Sequence, residues 1–157
     1  MSAVPSPVES AAALRAAVEE ATPLLAAVSD AESQSSAREG VWCAREILGH
    51  LVDSACNNHR RFVIGPLPQT TRFEGYDQNV WVARQRYRDV PWAEVVSLWT
   101  AYNRHLAHLM ACTSVDEGAS SAMAPDGSGP VSVAYLMHDY VVHLRHHLDR
   151  IRASPGS

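Results

Sequence analysis

Four of the eight histidines of this 157-residue chain lie within ten residues, in the segment HDYVVHLRHHLDRI (residues 138–151). On a helix, His143 and His147 are four residues apart, so they share one face about one turn apart. Two neutral imidazoles at this spacing can bind one metal ion. His146 is rotated by about 100° from His147, and His138 is five residues from His143, so neither shares that face well. The alternative interpretation of the pair is two amphipathic residues at the edge of a core.

A third histidine on another helix would make the pair more specific, and His50 is the best candidate. It lies in the middle of a helical segment beside an apolar stripe, flanked by Ile47 and Leu51. A buried imidazole there needs a partner, because an unpaired buried polar group costs about 1–3 kcal/mol. A metal ion or a hydrogen bond to a carboxylate would provide one.

Three imidazole ligands would leave an open position on a tetrahedral ion for water or substrate. Zinc and nickel both suit imidazole ligands. A carboxylate-bridged di-iron site is excluded, because such bundles need several glutamates in Glu-x-x-His pairs. The nearest match is Glu46 with His50, which has the wrong spacing and stands alone.

Composition excludes several other classes of function. The formal net charge is −4, and the 13 basic residues, all arginine, are scattered, which argues against a nucleic-acid partner. The amino-terminal MSAVPSPVES has no signal-peptide pattern, and no apolar run is long enough for a membrane span, so a cytoplasmic protein is expected. The three cysteines lack metal-site spacing and are expected to be small buried hydrophobes in a reducing compartment.

The elements that must position these histidines are four long segments with helical periodicity, which predict an all-α four-helix bundle. The first begins with a capping box at Ser6 and Glu9, and Pro23 predicts a kink or a break inside it. The other three are predicted at about residues 42–64, from about 91 (with Asp89 as a capping candidate) to 113, and from Ser132 to about 153.

The connections are expected to be mostly irregular, because they are rich in glycine, proline and small polar residues. One short extra helix, from Asp77 to about Arg86, is predicted between the second and third long helices. No β-hairpin is predicted, since no alternating pattern flanks a turn signal. The chain, residues 1–157, is expected to form a single domain with its core at about 7–153.

Four segments together carry a resemblance to a known family. They are VWCAREILGHLVDSACNNHRRF, GYDQNVWV, LWTAYNRHLAHL and YLMHDYVVHLRHHLDRI. In this order and spacing, over about residues 40–152, they resemble the DinB/YfiT-like superfamily of bacterial four-helix-bundle proteins. The resemblance implies a divalent metal ion bound by one histidine of the second long helix and a His-x-x-x-His pair of the last. The implied ligands are His50, His143 and His147, the set that helical spacing also favours.

The resemblance also implies alternatives for function. Such proteins act as metal-dependent hydrolases, or as transferases and isomerases that use a small thiol such as bacillithiol, mycothiol or glutathione. Thiol transfer is slightly favoured, because no second group is spaced as a general base for hydrolysis and a metal can itself favour the thiolate. The other two hypotheses are a metal- or ligand-binding stress protein without catalysis, and an interaction module that forms homodimers.

Two aspartates are candidates for the outer partners that metal-binding histidines usually need. Asp53 follows His50 by three residues, and Asp139 precedes His143 by four. For both of them, a solvated helix face is the alternative interpretation.

Five further residues are candidates for a substrate pocket. Asn57 and Arg61 share the face of His50 and could bind polar substrate groups; the alternative is a hydrogen-bonded core edge with a surface cation. Tyr76, Asp77 and Trp81, in the segment GYDQNVW, could cover the metal, although a core position is the alternative for Trp81.

Overall fold

A computed structural model describes residues 3–36, 38–67 and 73–153. Its four long helices are α1 (Pro7–Ala27), α3 (Ala44–Ile64), α5 (Trp92–Cys112) and α7 (Val133–Arg152). Between them lie α2 (Asp30–Gln34), α4 (Gln78–Gln85), a 3-10 turn (Tyr87–Asp89), α6 (Val115–Ala119) and the strands β1 (Ser121–Met123) and β2 (Pro130–Ser132). The predicted four-helix bundle is confirmed, and α4 is the predicted extra helix.

The long helices close a ring in which α1 contacts α5 and α7, and α3 also contacts α5 and α7. Apolar residues at helical spacing fill its centre, and burying them is the main stabilising contribution. The largest fully buried apolar side chains are Leu14, Ile47, Leu48, Leu51, Phe62, Trp99, Leu106, Met110, Met137, Tyr140 and Leu144. Because α3 and α7 are neighbours, residues on their facing sides can form one site.

Capping residues explain where most helices begin. Ser6 and Glu9 form the predicted capping box of α1, and the Ser132 hydroxyl accepts from the Tyr135 amide at the start of α7. The expected cap of α5 by Asp89 is wrong. The Trp92 amide instead donates to Asp30 Oδ1 at 2.9 Å, so a residue distant in sequence caps that helix.

Helix α1 continues through Pro23, so the predicted alternative of a break is wrong. Proline removes one backbone donor, which leaves the carbonyl of Glu19 without its helical partner. Glu19 is exposed, where water can replace that donor. The next turn is held by packing, because Leu25 is buried and its carbonyl accepts from the Trp92 indole at 2.8 Å.

Two connections that were expected to be irregular contain regular structure. Helices α2 and α6 each begin with a capping box, formed by Ser29 with Glu32 and by Ser114 with Glu117. Strands β1 and β2 pair in an antiparallel hairpin, so the expected absence of a hairpin is wrong. Its strands have three residues each, too short for alternation to show, and the turn contains Gly127 and Gly129 with positive φ.

The cysteines divide into two kinds. Cys43 is buried at the start of α3, as expected, whereas Cys56 and Cys112 are exposed, so the expected burial is wrong for them. Both lie on helix faces turned away from the core. Within the described ranges, no helix is both long and apolar enough to cross a membrane.

Candidate metal centre

Three histidines from two helices converge at the α3–α7 contact. His50 lies on α3, and His143 and His147 lie one turn apart on α7. Each offers one ring nitrogen, and these nitrogens all lie within 4.8 Å of one another. His50 is 1% exposed and His147 is 7% exposed, while His143 is half-buried. The structure therefore brings together the three residues selected from the sequence.

The spacing of the ring nitrogens fits a metal ion. His50 Nε2 and His143 Nε2 are 3.3 Å apart. Two nitrogens bound to one tetrahedral zinc ion at 2.0–2.1 Å would be about 3.3 Å apart. The centroid of the His147 ring lies 4.7 Å from that of His50 and 4.5 Å from that of His143. The donor set and its spacing thus match what a three-imidazole site needs.

Burial keeps these imidazoles in the neutral form that can donate a lone pair to a metal. Burial, with a smaller contribution from the neighbouring His143, lowers the pKa of His50 to about 4 and that of His147 to about 3. The pKa of His143 is also lowered by burial, although Asp139 acts in the opposite direction. At neutral pH the group therefore carries no positive charge that would repel a cation.

The other two histidines of residues 138–151, His138 and His146, lie outside the group of three. His146 is exposed, and its ring faces the edge of His147 at 5.3 Å between centroids. His138 is half-buried and lies outside the group of nitrogens that could share an ion. Helical spacing thus separates the four histidines as expected. Glu46 lies outside the group too, because its carboxylate pairs with Arg88 at 3.0 Å.

Asp53 is buried near His50, but its hydrogen bonds run towards α4 and the 3-10 turn. Its Oδ1 accepts from the Tyr87 hydroxyl at 2.7 Å and from Gln85 Nε2. Burial raises the pKa of this carboxyl group, and the two donors partly oppose that effect. Both Asp53 Oδ2 and His50 Nδ1 are buried without a hydrogen-bond partner among the described residues. Each has unused capacity for one more polar contact.

A cavity of about 610 Å³ opens beside the histidines. His50 and His143 line it, and so does the turn between β1 and β2. Asp139, an exposed residue of α7, also lines it. The remaining lining residues are Ser54, Asn58, Arg61, Gly75, Tyr76, Gln78, Ala124, Pro125, Asp126, Ser128, Val131, Tyr135, Leu136 and Tyr140.

Of the five pocket candidates, Arg61 and Tyr76 line this cavity and the other three do not. Asn57 bonds the backbone carbonyl of Asp53 at 2.9 Å. Asp77 caps α4 by accepting from two backbone amides. Trp81 packs its ring against Tyr76, with centroids 5.0 Å apart.

Sequence reasoning missed Ser54 and Asn58, which lie on the cavity four and eight residues after His50. What the sequence shows of them is a polar stripe that continues from His50 along the side of α3 that faces α7. The residue types alone could not show which side of His50 faces the open space, since that depends on how α3 is rotated against its neighbours.

Most of the sequence matches a known protein family. The sequence model of the DinB superfamily matches residues 10–151. The chain belongs to the DinB superfamily. Among DinB relatives, YfiT of Bacillus subtilis is 26% identical over 125 residues, 79% of this chain and 70% of its own length. OB0413 of Oceanobacillus iheyensis is 24% identical over 80% of this chain and 71% of its own length.

Solved structures agree with the bundle topology. One of them is YfiT of Bacillus subtilis, a probable metal-dependent hydrolase with an unusual four-helix bundle topology. It superposes on this chain with a TM-score of 0.76 at 19% sequence identity. The match covers 94% of this chain and 82% of YfiT. A mycothiol-dependent maleylpyruvate isomerase superposes with a TM-score of 0.78 at 15% identity. That match covers 96% of this chain but 63% of the isomerase. At these identities the superpositions establish the fold.

Proposed function

We propose that this DinB protein binds one divalent metal ion, zinc or nickel, through His50, His143 and His147. We further propose that it is a metal-dependent enzyme that acts on a small molecule together with a low-molecular-weight thiol. The observation that carries the proposal is the convergence of three neutral imidazoles, two of which, those of His50 and His143, line a cavity. An ion held there would supply a Lewis acid that polarises a substrate atom or favours a thiolate.

The residues of the chain have separate tasks in this proposal. The three imidazoles hold the ion, and burial keeps them unprotonated. The cavity, which is lined by His50, by His143 and by the turn between β1 and β2, would hold the substrate. His147 would be the third residue to hold the ion, and it does not line the cavity.

Thiol chemistry is favoured over hydrolysis by the surroundings of the histidines. Hydrolysis needs a general base to deprotonate water. The buried carboxylate nearest to His50 in sequence, Asp53, does not line the cavity, and its Oδ1 accepts hydrogen bonds from Tyr87 and Gln85. Thiol transfer requires less of the protein, because a metal ion itself lowers the pKa of a thiol. The shared fold with a mycothiol-dependent isomerase supports the same choice.

Hydrolysis is the second candidate, and one residue favours it. Asp139 lines the cavity one turn before His143, where its carboxylate could accept a proton from water. The sequence similarity to YfiT, a probable metal-dependent hydrolase, points the same way. Under this alternative, replacing Asp139 by asparagine would abolish turnover without removing the metal.

The test uses the purified protein loaded with zinc or with nickel. Small electrophiles are offered with and without mycothiol, bacillithiol or glutathione, and a parallel panel of esters and amides reports hydrolysis. We expect conjugation or isomerisation that requires a thiol, and its loss in His147→Ala but not in His146→Ala. Ester or amide cleavage without a thiol would support the second candidate. Bound metal without turnover on either panel would favour a binding protein without catalysis.

A further inference from the structure

We propose that Arg61 forms a carboxylate-binding subsite in the cavity, so that the substrate is a small organic acid whose carboxylate docks on this guanidinium. As a statement about the substrate, this rests on the proposed function. The anion subsite itself is a property of α3 and its surroundings, and it can be measured with no metal bound.

The side chain of Arg61 lies inside the cavity rather than on the surface. It is 7% exposed and lines the same space as His50 and His143. Arg61 follows His50 by eleven residues, which is about 16 Å along the helix axis. Long side chains on a helix lean towards its amino terminus, which here is the direction of His50. The hydrogen bond that Arg61 Nη1 donates to Asn58 Oδ1, at 3.1 Å, runs in this direction. The guanidinium therefore points from the far end of the cavity towards the histidines.

The charge of Arg61 lacks a close counter-ion in the part of the chain that the structure describes. No carboxylate there lies within 4.0 Å of it, and its hydrogen-bond partner, Asn58, is neutral. Arg45, the other buried arginine among the described residues, pairs with the Asp30 carboxylate at 2.8 Å and donates to four further groups. A buried guanidinium has five donors, so Arg61 has several left for a ligand.

The charges that line the cavity favour a carboxylate over a phosphate. A guanidinium matches the two oxygens of a carboxylate with two parallel hydrogen bonds. Among the residues that the structure describes, no other arginine lines the cavity, whereas Asp126 and Asp139 do, and their charges would oppose a dianion. Burial lowers the pKa of Arg61, and the nearby Tyr76 and Asp139 oppose that effect. One carboxylate would neutralise one guanidinium without adding a second charge near these aspartates.

Neighbouring neutral groups complete the subsite. Ser54, Asn58 and Tyr76 line the cavity around Arg61. Burial raises the pKa of Tyr76 to about 12, so its hydroxyl stays protonated and can donate a hydrogen bond to an anion. A carboxylate held at this end would leave the rest of the molecule extending towards the histidines.

The probe is butyrate, a monocarboxylate, with neutral butyramide as its matched analogue. Calorimetry measures the dissociation constant for the protein, both zinc-loaded and after chelator treatment. We expect butyrate to bind in both forms and butyramide to bind at least tenfold more weakly. Arg61→Gln should weaken butyrate binding at least tenfold, and Arg61→Lys, which keeps the charge but loses the paired donors of the guanidinium, should lie between. Arg60→Gln, at the adjacent exposed arginine, should change it less than twofold.

Four results would overturn the proposal. They are equal binding of butyrate and butyramide, unchanged butyrate binding in Arg61→Gln, tighter binding of inorganic phosphate than of butyrate, and butyrate binding only in the zinc-loaded form. The wild-type comparisons stand even where a variant fails to fold. A protein that binds butyrate through Arg61 but takes up no metal would refute the proposed function and leave the subsite intact.

Discussion

His50 Nε2 and His143 Nε2 lie 3.3 Å apart across the contact between α3 and α7, although 93 residues separate them in the chain. His147 stands one turn beyond His143 and completes the group. None of the three is positively charged at neutral pH, because burial lowers the pKa of each. The packing of two helices has therefore brought three unprotonated imidazoles together, and two of them line the cavity.

The lowered pKa values predict how stability depends on pH once metal has been removed. The ordinary histidine pKa is 6.5, against about 4 for folded His50 and about 3 for folded His147. Between these values the unfolded chain binds more protons, so the free energy of unfolding falls as the pH falls from about 6.5 to about 4. Each histidine adds a slope of about 1.4 kcal/mol per pH unit. Urea titrations of chelator-treated protein measure it.

The matched variants for that titration are His147→Leu and His146→Leu. His147→Leu removes one of the histidines with a lowered pKa, so we expect the free energy of unfolding to depend less steeply on pH. The second removes an exposed histidine and should leave the slope unchanged. If both variants keep the slope of the wild type, the neutral buried state of His147 is refuted.

The buried Arg45 should be a major contributor to stability. It is 2% exposed and joins α3 to α2 and to the 3-10 turn region, through Asp30, Ser33 and the carbonyls of Arg88 and Val90. Arg45→Ala removes the donor to the buried Ser33 hydroxyl and to the partly buried carbonyl groups of Arg88 and Val90, and we expect a loss of about 3 kcal/mol in the free energy of unfolding. Chemical denaturation provides the measurement.

The exposed ion pair between Arg86 and Asp89 is the comparison for Arg45. Its atoms are 2.6 Å apart, but both side chains are mostly exposed, so Arg86→Ala should leave stability nearly unchanged. Equal losses in Arg45→Ala and Arg86→Ala would contradict the role given to burial.

Gly49 is required by the close approach of Tyr87 to α3. A Cβ atom at this position would lie 2.2 Å from the Tyr87 ring. Glycine to alanine inside a helix usually stabilises, but here overpacking should cost about 1–3 kcal/mol. Thermal and urea denaturation of Gly49→Ala test this. Ser97→Ala, at an exposed position of α5, is the control. A Gly49→Ala protein more stable than the wild type would show that Tyr87 packs elsewhere.

Local patterns in the sequence were enough to predict most of the fold and the three histidines of the site. Periodic apolar residues located the four long helices, and the spacing of His143 and His147 fixed which histidines share a face. The position of His50 beside the core stripe added the third. These inferences depend on helical geometry alone, so they need no knowledge of how the helices are arranged.

The features that sequence reasoning missed depend on contacts between distant segments. Asp30 caps α5, and Trp92 supports the turn after Pro23, across more than sixty residues each. The choice of Asn58 over Asn57 for the cavity follows from the rotation of α3 against α7. The three-residue strands of the hairpin are too short to produce a readable alternation.

Metal content is the most direct test of the central claim. Protein purified without chelators and analysed by elemental mass spectrometry should contain about one zinc or nickel ion per chain. His50→Ala, His143→Ala and His147→Ala should each lose it, while His146→Ala, which changes the adjacent exposed histidine, should retain it. A wild type that neither contains nor takes up metal, or metal lost from His146→Ala and kept by His147→Ala, would contradict the account.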